Sequence, residues 1–269
     1  MKRKTFIIQT LGFLGPKGTF SFEAARQYAQ NQELIEYKTI KDIILAVENG
    51  EIEEGIVPIE NSLQGGVTET IDSLVESKKI TIKKEVVLEI KQNLIANNNY
   101  KMSEIKEIYS HPQALAQCRN YIENNLHNAS INQVSSTALA AKEIKNKDYC
   151  ACIANKSCVE QYGLYLLEEN IQDNNFNKTK FWVLSKNENQ EGKKMSIIFS
   201  TKHKAGALYN VLGLFYKNDI NLTKIESRPA KTVLGEYIFL VDLEVNEKID
   251  KTIDNLKKEC NYIKILGKY

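Results

Sequence analysis

An α/β region built on a parallel sheet, followed by a smaller βαββαβ module, is the fold that this chain of 269 residues predicts. Three observations predict it. Short apolar runs alternate with segments of helical period over the first two thirds, the signature of a sheet with helices on both faces. Residues 185–194 then carry no apolar side chain and read as a linker. Beyond the linker the order becomes strand, helix, strand, strand, helix, strand, which is the ferredoxin-like arrangement.

Each element has a local reason. Met1-Lys2-Arg3-Lys4 before Thr5-Phe6-Ile7-Ile8 has the opening of a secretory signal, but Gln9 and Thr10 interrupt the apolar run and no small-residue cleavage site follows. A first β-strand is expected instead. Leu11 to Leu14, Ile56 to Ile59, Ile108 to Tyr109, Ile131 to Val134 and Cys150 to Ile153 read as buried strands. Phe22, Ala25 and Ala29 form one helical stripe, and Ala114, Leu115, Cys118 and Ile122 another. Asn97 to Asn99 and Asn174 to Asn177 read as flexible loops. After the linker, strands are expected at Met195 to Thr201, Asn221 to Ser227, Tyr237 to Val245 and Tyr262 to Leu266. Helices are expected at Ala207 to Tyr216, with the stripe Leu208, Val211, Leu212, Phe215, and at Ile249 to Glu259, with Ile249, Ile253, Leu256 and Cys260.

The bulk numbers exclude several functions. Thirty-six basic and 34 acidic residues leave a formal charge of +2, interspersed, which gives no drive toward nucleic acid or a membrane surface. No apolar stretch approaches the ~20 residues that span a bilayer. The five cysteines, Cys118, Cys150, Cys152, Cys158 and Cys260, are odd in number and lack C-x-x-C spacing, so reduced, mostly buried thiols in a cytoplasmic protein are expected. Three scattered histidines, His111, His127 and His203, argue against a metal cluster. The chain has no G-x-S-x-G, H-E-x-x-H, P-loop or G-x-G-x-x-G.

What remains is a set of loops rich in hydroxyls and amides, each following an apolar run. They are Gly15 to Ser21, Glu60 to Gly66, Ser110 to Gln113, Ser135 to Thr137 and Asn177 to Phe181. Helix N-termini and glycine turns offer unpaired N–H groups, and neutral hydroxyls beside them hold carboxylates or phosphates without a metal. The same residues have plainer readings. Ser135, Ser136 and Thr137 could cap the helix that follows, His111 before Pro112 could be a turn residue, and Phe181 could be core strand. Arg228 could be a rim salt bridge with Glu226 as its partner.

In order along the chain, Leu11-Gly12-Phe13-Leu14-Gly15-Pro16-Lys17-Gly18-Thr19-Phe20-Ser21, Val57 to Val67, Ser110 to Leu115, Ser136 to Ala138 and Asn177-Lys178-Thr179-Lys180-Phe181 resemble the prephenate dehydratase family. Gly206-Ala207-Leu208 and Ile220 to Pro229 resemble that family's ACT domain. The resemblance implies a two-lobed catalytic region at residues 1–185, similar to type II periplasmic-binding proteins. Lobe one would take about 1–88 and 168–185, lobe two about 89–167, and an ACT regulatory domain 195–269. It implies a cofactor-free reaction in which prephenate loses carbon dioxide and its ring hydroxyl to give phenylpyruvate. Thr179 would assist the leaving hydroxyl. Thr19, Ser21, Asn61, Ser62, Gln64, Gly65, His111, Gln113, Ser136 and Thr137 would contact substrate, with Phe181 walling the ring.

It further implies that phenylalanine is bound by Gly206, Ala207, Leu208, Asn221, Leu222, Glu226, Ser227 and Arg228 at an ACT interface of a homodimer or homotetramer. Where the family has Thr-Arg-Phe, Lys180 keeps the charge and loses bidentate geometry. Ala205 and Tyr209 replace the family's proline and aliphatic residue. Residues 1–10 are too short for a chorismate mutase segment. Two rivals are arogenate dehydration and a non-catalytic sensor of small acids.

Overall fold

The computed structural model describes residues 9–188, 191–230 and 236–269. Residues 5–8 of the expected first strand lie outside that range. The elements are, in order, β1 (Thr10–Leu14), α1 (Phe20–Tyr28), β2 (Glu33–Tyr37), α2 (Ile40–Asn49), β3 (Glu54–Asn61), β4 (Gly65–Gly66), α3 (Thr68–Glu76), β5 (Thr81–Glu89) and β6 (Asn93–Ala96). Then follow β7 (Glu107–Ser110), α4 (Pro112–Gln117), α5 (Arg119–Asn125), β8 (Ser130–Gln133), α6 (Thr137–Ile144), β9 (Cys150–Ala154), α7 (Ser157–Tyr162) and β10 (Tyr165–Glu168). The chain ends in β11 (Lys178–Ser185), β12 (Lys194–Thr201), α8 (Ala207–Lys217), β13 (Leu222–Pro229), β14 (Tyr237–Glu244), α9 (Ile249–Glu259) and β15 (Cys260–Lys268).

Three sheets result. The first runs β2-β1-β3-β11-β5 with β4 on β3, the second β10-β6-β9-β7-β8, the third β13-β14-β12-β15. The chain leaves the first sheet after Glu89, builds the second, and returns with β11. The expected all-parallel sheet is corrected to mixed pairing: β7 runs parallel to β8 and β9, but β6 is antiparallel to β9 and β10. No helix separates β5 from β6 or β10 from β11. A strand reached without a helical crossover is free to enter antiparallel.

The second sheet shows why helices cover both its faces. Leu94, Ala96, Ala151 and Ile153 point to the side packed by Leu115, Cys118 and Ile122. Ile95, Cys150, Cys152 and Ala154 point to the side packed by Ala138, Ala141 and Ile144. Alternation along each strand supplies two cores from one run of apolar residues. The stripe Ala114, Leu115, Cys118, Ile122 is buried as expected. It spans two short helices instead of one, because Cys118 has φ −118° and ψ 22°.

The third sheet is antiparallel, and its two helices place Val211, Phe215, Ile249, Ile253 and Leu256 against Met195, Ile197, Phe199, Val241 and Leu243. The order is that of a ferredoxin-like module.

Contacts divide the chain into two compact units. One gathers the described part of Met1–Ile43 with Ile56–Val67 and Val86–Phe181; the other gathers Ile44–Gly55, Thr68–Glu85 and Trp182–Tyr269. The second unit therefore holds α3 and the latter half of β11 together with the βαββαβ module.

All five cysteines are free thiols, four of them buried. Burial pushes the Cys118 and Cys158 thiols up to about 12 and Cys260 to about 11, and raises Cys150 and, well above its usual value, Cys152. The thiolate is the reacting form. Iodoacetamide at pH 8 is expected to label the native chain at fewer than one site, Cys260 first, and all five in denaturant, as read by mass spectrometry. Rapid native labelling of Cys158 would contradict the packing. Because these thiols stay protonated in the fold while an unfolded chain releases its protons above about 8.5, their contribution to stability falls as pH rises from there toward about 12.

Candidate functional site

A polar junction in the first unit forms where β3 ends beside the start of β11. Asn61, 8% exposed, donates from Nδ2 to Thr179 Oγ1 at 2.9 Å, to Asn177 Oδ1 at 2.7 Å and to the Lys178 carbonyl at 3.2 Å. Its Oδ1 accepts from the backbone N–H of Leu63 at 3.1 Å and of Gln64 at 3.2 Å. Those two acceptor bonds fix which way the amide points, so the NH₂ end must face Thr179.

The surrounding loop is equally determined. Ser62 accepts from Lys178 N at 2.9 Å and donates to the Phe176 carbonyl at 3.1 Å. Ser62 N donates to the Lys178 carbonyl at 2.9 Å. Gly65, with φ +81°, sits where an added Cβ would meet nothing within 4 Å, so its backbone conformation is what calls for glycine. Lys180 Nζ lies 3.2 Å from Glu60 Oε2, so a carboxylate on the neighbouring strand takes the lysine.

Thr179 Oγ1 is therefore an acceptor toward Asn61, and its own proton makes no hydrogen bond among the described residues. A hydroxyl held this way keeps its own proton available to a ligand, and the amide that donates to it strengthens the O–H as a donor. Phe181, two residues on and on the same face of the strand, is 1% exposed.

The other predicted residues fall at helix starts. Thr19 caps α1, accepting from Phe22 N at 3.2 Å and donating to the Leu14 carbonyl at 3.1 Å. His111 Nδ1 caps α4 by accepting from Gln113 N at 3.2 Å, and Ser136 Oγ caps α6 by accepting from Leu139 N at 3.0 Å. Ser21 and Thr137 are buried at the first turns of α1 and α6. Among the described residues none of these bonds to Asn61 or Thr179. Gln64 and Gln113 do meet: they line one cavity of about 280 Å³ with Leu63, Ala116, Gln117, Asp173 and Asn174.

Sequence reasoning missed two features. Asn177, expected in a flexible loop, is 3% exposed and bonded to Asn61. Its signal was its place at the head of the polar segment Asn177 to Phe181, which did not say that its side chain would be buried. Nothing local marked α7 as a support for the Gly15–Thr19 loop, yet Tyr162 Oη donates to the Lys17 carbonyl at 3.0 Å and Cys158 Sγ to the Gly18 carbonyl at 3.3 Å.

In the second unit a cavity of about 490 Å³ is lined by Gly206, Ala207 and Leu208 with Lys202, His203, Lys204, Tyr209, Glu236, Tyr237 and Phe239. Gly206, at φ +78°, precedes the first turn of α8. Asn221 lies just before β13, and Leu222, Glu226, Ser227 and Arg228 on that edge strand; none of the five lines the cavity, although Ser227 pairs in register with Phe239. Glu226 takes Lys224 at 3.2 Å, not Arg228, whose Nη2 lies 3.4 Å from Asp72 Oδ2. Arg228 Nε is buried with no hydrogen bond among the described residues.

An α/β region of two sheets joined by two crossings, followed along the chain by a ferredoxin-like module, defines a class of α/β proteins that carry a βαββαβ domain after the α/β region. The family model described as Prephenate dehydratase matches residues 11–189, and that described as ACT domain matches 195–261. The chain belongs to the prephenate dehydratase family. It is 42% identical to the Prephenate dehydratase of Methanocaldococcus jannaschii over 266 residues, covering 94% of this chain and 95% of the relative. The crystal structure of the Arthrobacter aurescens prephenate dehydratase in complex with L-Phe matches with a TM-score of 0.89 at 32% identity, covering 96% of this chain and 89% of that one. A structure described as GqqA, a novel type of quorum quenching acylase, matches with a TM-score of 0.87 at 25% identity, covering 96% and 97%. No helix among the described residues is long and apolar enough to cross a membrane.

Proposed function

We propose that the chain converts prephenate to phenylpyruvate, carbon dioxide and water, and that phenylalanine inhibits it. The observation that carries the reading is the 2.9 Å bond from Asn61 to Thr179. The C–carboxylate bond breaks and its electron pair enters the ring. The ring C–O bond breaks with its pair leaving on oxygen, and that oxygen takes up one proton to depart as water. Thr179 hydrogen-bonds the departing oxygen. A threonine is too weak an acid for easy full transfer, so it polarises the leaving group, and the proton is supplied by solvent.

Uncharged donors suit the rest of the substrate, because a strong cation on the departing carboxylate would stabilise the ground state against loss of carbon dioxide. The Glu60 partner of Lys180 supports this, since it offsets a positive charge one residue from Thr179. Gln64, Gly65 and Gln113 take the side-chain carboxylate and keto group. His111, Ser136, Thr137, Thr19 and Ser21 offer helix-terminal N–H groups and hydroxyls from their lobes, and Phe181 backs the ring. Asn61 and Ser62, whose polar groups are already engaged, position Thr179 and the loop. The lobes divide as about 1–88 with 168–185 against 89–167, the ACT domain is 195–269, and the protein works in the cytoplasm as a homodimer or homotetramer.

The effector cavity has the make-up for a zwitterionic aromatic amino acid. Lys202, His203 and Lys204 face a carboxylate, Glu236 an ammonium, and Leu208, Tyr237 and Phe239 a ring. Arg228, Ser227, Glu226, Asn221 and Leu222, which do not line this cavity in their own chain, complete it from a neighbouring copy.

The purified chain is expected to form phenylpyruvate from prephenate with no added cofactor, to turn over arogenate more slowly, and to slow at least fivefold with saturating phenylalanine. Acylase activity, the one named for GqqA, taken as cleavage of an acyl amide, is the competing outcome. It requires a nucleophile next to a base, whereas the neighbour that bonds Thr179 Oγ1 is an amide donor. Amide cleavage without phenylpyruvate would overturn the reading.

A further inference from the structure

Helix α3 is gripped at two points by the βαββαβ module. Lys264 on β15 points its ammonium at the end of the helix, donating to the Leu74 carbonyl at 2.6 Å, to the Ser77 carbonyl, and to Ser77 Oγ at 2.8 Å. Terminal helix carbonyls lack intrahelical partners, so one cation serves several acceptors and the negative end of the helix dipole together. Earlier in the same helix, Asp72 faces Arg228 of β13 at 3.4 Å. Burial pushes the Lys264 ammonium down to about 8, with Glu48 opposing. A cation kept inside at that cost points to a fixed contact.

The other end of α3 runs into the loop that holds Asn61. Thr68 follows Val67, whose N–H bonds the Ile59 carbonyl at 2.9 Å, and Gly65 and Gly66 pair with Asn61 and Glu60. We propose that Lys264 and Arg228 are positioning residues that act through α3 on residues 61–67, and so set the hydrogen bond that Asn61 gives to Thr179. This rests on the dehydratase reading above. Lys264 has no place in the effector cavity, and Arg228 gains a role besides holding phenylalanine: it hands the effector's signal to a helix.

The test separates binding from response. Lys264→Met keeps the aliphatic stem and removes the donor, Lys264→Arg keeps a donor, and Asp72→Asn removes the charge facing Arg228 without touching the module. Phenylalanine affinity by calorimetry is expected to stay within about twofold of the parent in all three. Inhibition of phenylpyruvate formation is expected to weaken at least about fivefold in Lys264→Met and Asp72→Asn, and to return in Lys264→Arg.

Hydrogen exchange provides a readout independent of turnover. Phenylalanine is expected to change exchange at residues 61–67 in the parent and not in Lys264→Met or Asp72→Asn. Unchanged inhibition with unchanged exchange would overturn the proposal. So would affinity and inhibition lost in proportion, which would make these residues effector ligands. A parent that forms no phenylpyruvate while its exchange still responds to phenylalanine would sink the dehydratase reading and leave the helix contact standing.

Discussion

Thr179→Ala is expected to lower the turnover of prephenate by about 10²- to 10³-fold, the usual loss for one preorganised donor, and to leave KM nearly unchanged. The reasoning is geometric. The hydroxyl accepts from Asn61, which leaves its proton free, on the reading proposed above, for the oxygen that must leave with the bonding pair. That oxygen gains charge as the bond breaks, so the contact strengthens toward the transition state and its loss appears in kcat. Thr179→Ser keeps the hydroxyl but loses the methyl that restricts χ1, so it retains measurable activity. Steady-state kinetics of the two variants check this, and an unimpaired alanine variant would remove Thr179 from the mechanism.

Asn61→Asp is expected to do comparable damage by reversing one hydrogen bond. The new carboxylate still accepts from Leu63 N and Gln64 N, but it turns oxygen toward Asn177 Oδ1, the Lys178 carbonyl and Thr179 Oγ1. Thr179 would then donate its proton inward, and the leaving oxygen would lose its donor. A fall of about 10²-fold or more in kcat follows. Stability drops as well, because a nearly buried acceptor loses its partner at a cost of about 1–3 kcal/mol. Protonating the new carboxyl restores a donor, so activity relative to the parent recovers as pH falls. A variant that keeps parental kcat at neutral pH would show that the amide's direction is immaterial.

The parts that were legible from sequence are those set by neighbours in the chain. The stripes Leu208, Val211, Leu212, Phe215 and Ile249, Ile253, Leu256 fix α8 and α9 within a residue or two, since helical period reports one buried face directly. Ser136 caps α6, the plainer of the two readings its position allowed. Partners distant in sequence were not legible. Asn177 looked like a loop residue because its partner, Asn61, lies 116 residues away. The antiparallel entry of β6 depends on the route between sheets and leaves no mark on Asn93–Ala96. Arg228 looked paired with Glu226, two positions along the strand, while Asp72 is 156 residues distant. Periodicity carries no information about such contacts, and hydroxyl-rich loops announce a polar site without saying which hydroxyl is aimed.

Asn61 has two amide hydrogens and three oxygens competing for them. A donor shared among more acceptors than it can satisfy sits in a shallow well, where a displacement of a few tenths of an ångström in the Lys178–Thr179 backbone redistributes the bonding. On the reading proposed above, the junction would thus work as a gain stage, turning a small mechanical input into a larger change in how strongly one hydroxyl is polarised.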